Sequence, residues 1–389
     1  MVRHADQVKS RAGEVPRVIA SRFGSRLHDE GVAAWLGVWL GVSFTLTFVT
    51  GLISHFMQHP PEWLLWPARP VNLYRFTQGL HVIGGLATIP LLLAKLWTVY
   101  PRLWQWPPVR SAAHALERSM VFLLVAGALF QLATGVLNVA RWYVFPFSFP
   151  ATHYWTSYIL VGALVIHVTN EWAKVRRTVF RPVRLDPVAA DSARGTASLT
   201  RRGFFATTAA ACGVIAATTV GEAFRPLARI AWLAPLPPRR GVPVNRTAAA
   251  ARVTVRPDWR LHVTGAVQRD LSLSLEELRA LPRHSARLPI ACVEGWSAEG
   301  AWAGVRLRDL LRMAGAADDA RVRVESLEPA GRYRTSEVRA PHWHDPLTLL
   351  ALELDGAPLT PDHGHPCRLI APDRPGVLQT KWVTRVVVL

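Results

Sequence analysis

The feature that most limits what this chain can fold into is a run of 22 residues, 32–53, without one charged side chain. An α-helix rises about 1.5 Å per residue, so about 20 apolar residues cross the roughly 30 Å of hydrocarbon in a bilayer. Three more stretches of membrane-crossing length follow, at residues 79–100, 120–140 and 154–172. Trp63, Trp66, Trp97, Trp104, Trp142, Trp155 and Trp172 stand near the ends of these runs, where aromatic belts form at a membrane surface.

Charge then separates two halves. The formal charge of +18 is unevenly placed: residues 1–240 hold 25 Lys/Arg against 10 Asp/Glu, residues 241–389 hold 20 against 17. The excess lies with the apolar runs, which points to membrane lipid as the partner and excludes nucleic acid. Residues 1–31, 101–119 and 172–203 carry six, three and eight Lys/Arg, whereas 54–78 and 141–153 carry two and one. Basic loops stay inside, so the amino terminus is expected in the cytoplasm of a cell that holds this chain in its plasma (inner) membrane. Residues 1–24, polar and basic with no apolar segment of signal-peptide type, read as a cytoplasmic tail.

Ionisable side chains are costly inside a bilayer and are usually functional. His153 and His167 flank the fourth run, fourteen residues apart. At about 100° per residue that spacing is about 40° short of four full turns, so both face one side of a helix, about 21 Å apart along its axis. His81 opens the second run at the level of His153. Neutral imidazoles on facing helices of a four-helix bundle are natural axial ligands for haem b. The outer pair is read as His81 with His153. The inner partner of His167 is His28 in preference to His114, and His55 and His59 remain alternatives for the outer haem or for a quinone. Residues 25–180 resemble the two-haem cytochrome b subunit of membrane formate dehydrogenases and hydrogenases. The resemblance implies two b haems and a quinone or quinol partner.

Residues 181–200, rich in Arg, Pro, Ala, Ser and Asp, read as a cytoplasmic linker. Arg201-Arg202 then precede the apolar stretch 206–220, like a twin-arginine export signal, and 201–225 read as a fifth span. That span would deliver the rest of the chain outside the cytoplasm.

From about residue 240 short runs of Val, Leu and Ile alternate with Gly and Pro, the texture of a mixed α+β domain. Residues 259–267, 321–325 and 381–389 read as strands; 274–281, 305–313 and 346–354 read as helices. Three cysteines, Cys212, Cys292 and Cys367, give no disulfide framework and no paired motif. Cys292 ends an apolar run and meets a Glu294-Gly295 turn. It is either a small buried hydrophobe or a soft ligand for a transition metal.

Its company favours the second reading. Cys292-Val293-Glu294-Gly295-Trp296-Ser297, the stretch 302–311, His363-Gly364-His365-Pro366-Cys367-Arg368 and Lys381-Trp382-Val383 resemble, in order and spacing, the sulfite-oxidase-type molybdopterin domain. Within that family the likeness is to the periplasmic methionine-sulfoxide reductase branch. The resemblance implies that Cys292 binds molybdenum. It places the molybdopterin partners at Asn245, Glu294, Ser326, His363, Arg368, Gly376, Val377, Leu378 and Lys381, of which Arg368 and Lys381 suit a phosphate on charge alone. His363 departs from the reductase branch, where Asn stands, and matches sulfite oxidases. His342 and His344 read as loop residues, Cys367 as a small buried one. The implied whole is a four-helix haem bundle and fifth span, then an α+β molybdopterin domain at 240–389. The implied enzyme takes electrons from quinol and removes oxygen from a small oxo-substrate, such as a sulfoxide, or from an oxidised protein. A sulfite-oxidising direction and a non-enzymatic haem conduit are the alternatives.

Overall fold

The computed structural model describes residues 26–105, 107–179, 199–220, 225–235 and 241–389. The tail read at 1–24 and residues 181–198 of the linker lie outside the described residues. Five long helices form in order: α1 (Glu30–Gln58), α2 (Leu73–Val99), α3 (Ala112–Val139), α4 (Phe149–Val179) and α5 (Arg201–Val220). Their residues divide between two compact units, Met1–Val49 with Val82–Thr218, and Thr50–His81 with Thr219–Leu389.

In the first unit α1 to α4 share one apolar core. Phe44, Leu92, Ala128 and Leu160, one from each helix, are buried there among Leu40, Leu96, Leu124 and Leu164. α5 packs separately, Phe204 and Phe205 meeting Val32, Leu36 and Ala94. The outer faces stay apolar: Phe122 is 74% and Trp155 67% exposed, the pattern of helices surrounded by lipid. Four segments are long and apolar enough to cross a membrane: Glu30–Gln58, Leu73–Trp104, Ala112–Val139 and Arg201–Val220. α4 is 31 residues long, yet it is not among them. Thr152, His153, Thr156, Ser157, His167, Thr169, Asn170, Glu171 and Lys174 dilute its apolar character. The expected fifth span therefore meets the criterion, and the expected fourth is a long helix of mixed polarity.

In the second unit two five-stranded sheets form the α+β domain. The first runs β2-β1-β10-β5-β6, from Leu271–Ser274, Arg260–Gly265, Val383–Val388, Val322–Ser326 and Thr335–Val338. Only the β1 and β10 pair is parallel in it. The second runs β3-β4-β7-β8, from His284–Ala291, Ser297–Arg306, Leu349–Leu354 and Ala357–Pro358, with β9 (Arg368–Ile370) also on β7. Ser274 caps the short α6 (Leu275–Ala280) in a reciprocal box with Glu277. α7 (Leu307–Ala314) buries Leu307, Leu310, Leu311 and Ala314 and stops at Gly315, whose φ of 75° suits glycine. The helix read at 346–354 is a correction: Leu349–Leu354 is strand β7. Leu349, Leu350, Ala351 and Leu352 are all buried, since Leu350 and Leu352 enter one apolar cluster and Leu349 and Ala351 another. A strand covered on both faces shows no alternation, and its apolar run reads like a helix face.

Candidate functional site

β3 and β4 pair from His284↔Gly304 to Ala291↔Ser297, so residues 292–296 form the hairpin turn. The Cys292 N–H donates to the Trp296 carbonyl at 2.8 Å and the Gly295 N–H to the Cys292 carbonyl at 3.0 Å. Gly295 takes a φ of 91°, which explains the glycine after Glu294. Glu294 is held over the turn by the Trp296 indole N–H, 3.0 Å from its Oε2. Cys292 is 3% exposed and packs with Leu288, Trp296, Trp302 and Ile370. Burial first, then the Glu294 carboxylate, pushes its thiol up to about 12; backbone N–H groups of Glu294 and Val293 partly offset this. The protein alone therefore keeps a thiol there. A metal cation would displace the proton.

The loop holding Gly376, Val377 and Leu378 lies against this turn. Ala291 bridges to Pro375, and a Cβ on Gly376 would come within 2.9 Å of Ile290 and 3.0 Å of the Ala291 carbonyl. The structure thus brings Cys292 and Gly376–Leu378 together.

A second cluster forms around Gly364, whose φ is 110° and where an added Cβ would lie 3.2 Å from the Cβ atoms of both Arg368 and Lys381. Arg368 is 5% exposed, lies 5.3 Å over the Trp302 ring, and donates from Nη1 to the His363 carbonyl at 3.2 Å. Its Nε is buried with no partner. Lys381 Nζ donates to the carbonyls of Arg246 at 2.7 Å and Asp362 at 3.0 Å. Among the described residues neither cation has a carboxylate within ion-pair distance. Burial pulls Arg368 down to about 9; burial and then the neighbouring Arg368 pull Lys381 down to about 7. A buried Arg368 with an orphan guanidinium N–H and a half-buried Lys381 form a receptor for an anion, so these residues fit a phosphate-bearing cofactor.

The remaining sequence-derived positions take varied roles. The His363 ring spends both nitrogens on the protein, Nε2 donating to the Val242 carbonyl at 2.9 Å and Nδ1 accepting from Thr360 Oγ1 at 2.7 Å. It fastens the 242–248 segment beside Lys381 and has no ring nitrogen to spare for a ligand. Asn245 lies exposed on that segment. Ser326 ends β5, and its Oγ accepts the Glu328 N–H at 3.1 Å. Cys367 is fully buried, as read. His342 is a correction: it belongs to the short helix α8 (Ala340–Trp343) and is 6% exposed. Among the described residues no three His, Cys, Asp or Glu side chains form a metal cluster.

The helical histidines show an unforeseen regularity. Thr134 Oγ1 donates to the Phe130 carbonyl at 2.8 Å, so at 2.9 Å it accepts from His153 Nδ1–H. That fixes the tautomer with the lone pair on Nε2, the state a metal needs. A Cβ on Gly135, the next residue, would lie 3.7 Å from the same ring. In the second unit Thr50 Oγ1 lies 3.4 Å from His81 Nδ1, and a Cβ on Gly51 would lie 2.9 Å from the ring. Each histidine thus meets a Thr-Gly pair. His28 Nδ1 donates to the Thr98 carbonyl at 3.1 Å, while His114 Nδ1 accepts the Arg110 N–H at 3.2 Å. His167 lies on the same continuous α4 as His153, with Lys95 and Glu171 as charged neighbours. His55 and His59 rings are 5.0 Å apart, and His59 Nε2 accepts from Arg332 at 3.0 Å. Desolvation first, then Arg332, lowers His59 to about 4.

Sequence reading missed the segment that meets the Cys292 turn from afar. Tyr74 is buried with Met57 and Ala291, and its N–H donates to Asp373 Oδ1 at 2.6 Å. Arg75 pairs with Glu299 at 2.8 Å and donates to Ser297 at 3.1 Å; Gln78 Nε2 donates to the Val293 carbonyl at 3.3 Å. These partners are 215 to 299 residues apart in sequence, and no local pattern signals them.

Comparison with known proteins adds the following. Residues 248–389 match the oxidoreductase molybdopterin binding domain. The uncharacterised oxidoreductase YuiH of Bacillus subtilis is 31% identical over 153 residues, 38% of this chain and 76% of that protein. Mitochondrial sulfite oxidase of Drosophila melanogaster is 32% identical over 156 residues, 34% of this chain and 27% of its own. The protein-methionine-sulfoxide reductase catalytic subunit MsrP of Campylobacter jejuni is 27% identical over 143 residues, 33% of this chain and 48% of its own. The chain spans less than half the length of the last two.

Proposed function

The chain belongs to the molybdopterin-binding oxidoreductases, and from that premise we propose that Cys292 is its molybdenum ligand and that Arg368 and Lys381 neutralise the cofactor's phosphate. The observation that carries the reading is a buried Arg368 beside a half-buried Lys381, neither with a carboxylate at ion-pair distance among the described residues, in the same domain as a buried cysteine on a tight turn. When bound, the cofactor supplies two-electron oxygen-atom transfer to or from the substrate. The chain's own part is to hold it. The Gly376–Leu378 backbone closes one side of the Cys292 turn, Glu294 and Trp296 fix the turn's shape, and Trp302 and Leu288 keep water from the sulfur. Asn245 and Ser326 are assigned to the pterin by resemblance, and His363 acts by fastening the loop beside Lys381.

The membrane helices are assigned two b haems, an outer one on His81 and His153 and an inner one on His167 and His28. Supporting this, Nδ1 of His81, His153 and His28 each lies beside a protein oxygen, and at His153 and His28 this leaves the lone pair on Nε2. Quinol in the membrane is the electron donor, and a small oxo-substrate such as a sulfoxide outside the cytoplasm is the acceptor. The sulfite-oxidising direction is retained because a relative is a sulfite oxidase. Molybdenum and pterin analysis of the purified full chain, with sulfite and sulfoxide assayed in parallel, tests the reading. One molybdenum per chain is expected, and its absence in protein made with molybdate would refute it. An alkaline-phosphatase fusion after Leu389 should be active, and Arg201-Arg202→Lys-Lys should silence it. A silent fusion on the unmodified chain would place the domain inside.

A further inference from the structure

The polar side chains at the amino end of α2 and the carboxyl end of α1 form a directed series. Gln58 Nε2 donates to Ser54 Oγ at 3.1 Å, and Ser54 Oγ donates to Gln78 Oε1 at 2.6 Å. With its Oε1 so occupied, the Gln78 amide must point its NH₂ at the Val293 carbonyl, 3.3 Å away. Each group has one assignment, because the hydroxyl has a single proton and the final acceptor is a carbonyl. Ser54 is 6% and Gln78 5% exposed, so the series lies out of water, where an unmade hydrogen bond is costly.

Both ends of this series matter. Val293 follows Cys292 in the hairpin turn. Gln78 lies three residues before His81 on α2, hence on the same side of the helix, one turn away. The same stretch is clamped twice more. Asp373 Oδ1 accepts the Tyr74 N–H as an anchor at the first turn of α2, and the Asp373 N–H donates to the Val71 carbonyl at 3.1 Å. Arg75 grips Ser297 and Glu299 at the start of β4. Asp373 also precedes Gly376–Leu378 by three residues. The first two turns of α2 are thereby fastened to both loops that flank Cys292.

We propose that Gln78 is a positioning residue joining the Cys292 turn to the helix that carries His81, and that this junction is the route by which electrons pass between a haem on His81 and the molybdenum site. The proposal rests on the haem reading above. The balance is simple: quinol gives two electrons and two protons, two single-electron transfers cross the junction, and oxo-substrate XO with two protons becomes X and water. From Cys292 the route runs through the Val293 carbonyl, one hydrogen bond, the Gln78 side chain and one helical turn to His81.

The test uses the full chain in detergent, loaded with both cofactors. Gln78→Glu keeps the shape but turns the donor into an acceptor facing a carbonyl; Gln78→Leu removes the link. Haem and molybdenum contents are measured first, then the molybdenum(V) paramagnetic resonance spectrum. Haem reoxidation after mixing with sulfoxide is followed by stopped flow, and turnover is measured with a reduced viologen that reaches the molybdenum site directly. Losing such an outer support costs about 10–100-fold, so haem reoxidation should slow by that factor while viologen-driven turnover falls far less. A shifted molybdenum(V) signal at full metal content supports the positioning role. Equal losses with both donors, or reoxidation at the parent rate, overturn the junction while the haem reading stands. His81→Ala separates the two: if it retains every haem, the haem reading fails and the junction falls with it.

Discussion

The two units treat buried polar groups in opposite ways. In the helical unit the hydroxyls of Thr47, Thr88, Thr98, Thr134, Thr156 and Thr208 each donate to a carbonyl three or four residues back. The polarity of those threonines is settled within single turns, as lipid demands, whereas the imidazoles are met by oxygens of other helices. In the catalytic unit Arg368 is buried and Lys381 half-buried, and among the described residues neither has a carboxylate at ion-pair distance. The difference teaches where to look for function in each half. In the helices it lies in side chains oriented by their neighbours; in the sheets it lies in charge without a near counter-charge.

The largest expected effect falls on the catalytic side. Cys292→Ser should abolish turnover with both sulfite and sulfoxide while leaving the haem spectrum unchanged, since the turn is built from backbone hydrogen bonds that serine preserves. Turnover at the parent level would remove molybdenum ligation from the comparison altogether. The corresponding break on the helical side is His153→Ala, expected to cost one of two haems by pyridine haemochrome. Thr134→Val sharpens it, because it keeps the ligand but loses the acceptor for Nδ1–H. Haem should remain but be held about 10–100-fold more weakly and at a shifted potential. An unchanged potential would show the threonine to be an ordinary helix hydroxyl.

How much of this was readable beforehand follows the same division. Apolar runs at 32–53, 79–100 and 120–140 gave α1, α2 and α3, because one helix obeys one local rule. The run at 154–172 gave α4 as a long helix, although its composition falls short of a simple span. Motif order singled out Cys292, Arg368 and Lys381 as candidates, and the structure places Arg368 and Lys381 together around Gly364. Hidden were the Thr-Gly pairs at 50–51 and 134–135, whose meaning depends on a ring from another helix, and the double face of β7. So was the fastening of Tyr74 by Asp373, which joins positions 299 apart. His363 was singled out by its motif, but the contacts of its ring with Val242 and Thr360 were not legible, since which partner a ring nitrogen takes is decided by packing from afar.

Arg368→Met sharpens the idea of unbalanced charge by predicting opposite signs. In cofactor-free protein, replacing a buried cation that lacks an anion by an apolar chain of similar length should stabilise by about 1–4 kcal/mol. The same variant grown with molybdate should retain less cofactor. Denaturant unfolding in detergent and metal analysis read the two effects. Destabilisation of the cofactor-free protein would mean that the Trp302 stack and the His363 hydrogen bond outweigh the buried charge.

The smallest effect is a pH dependence at Lys381. Burial, then Arg368, takes its ammonium from an ordinary 10.5 to about 7 in the fold. Below about pH 7 both folded and unfolded chains are protonated there, and the penalty of the buried charge is present in full. Between about 7 and 10.5 the folded Lys381 releases its proton while the unfolded one keeps it, so stability rises with pH. After discounting for partial exposure, the cofactor-free protein should gain about 1 kcal/mol between pH 7 and 9. Asp373, raised to about 7 by burial, titrates nearby and must be subtracted. The measured quantity is therefore the difference between the parent and Lys381→Met, which lacks the titrating group and should show a flatter slope. Bound cofactor phosphate should restore the charge on Lys381 and erase that difference in the loaded enzyme. A difference that persists after loading would mean that Lys381 does not face the anion, leaving Arg368 as the phosphate partner.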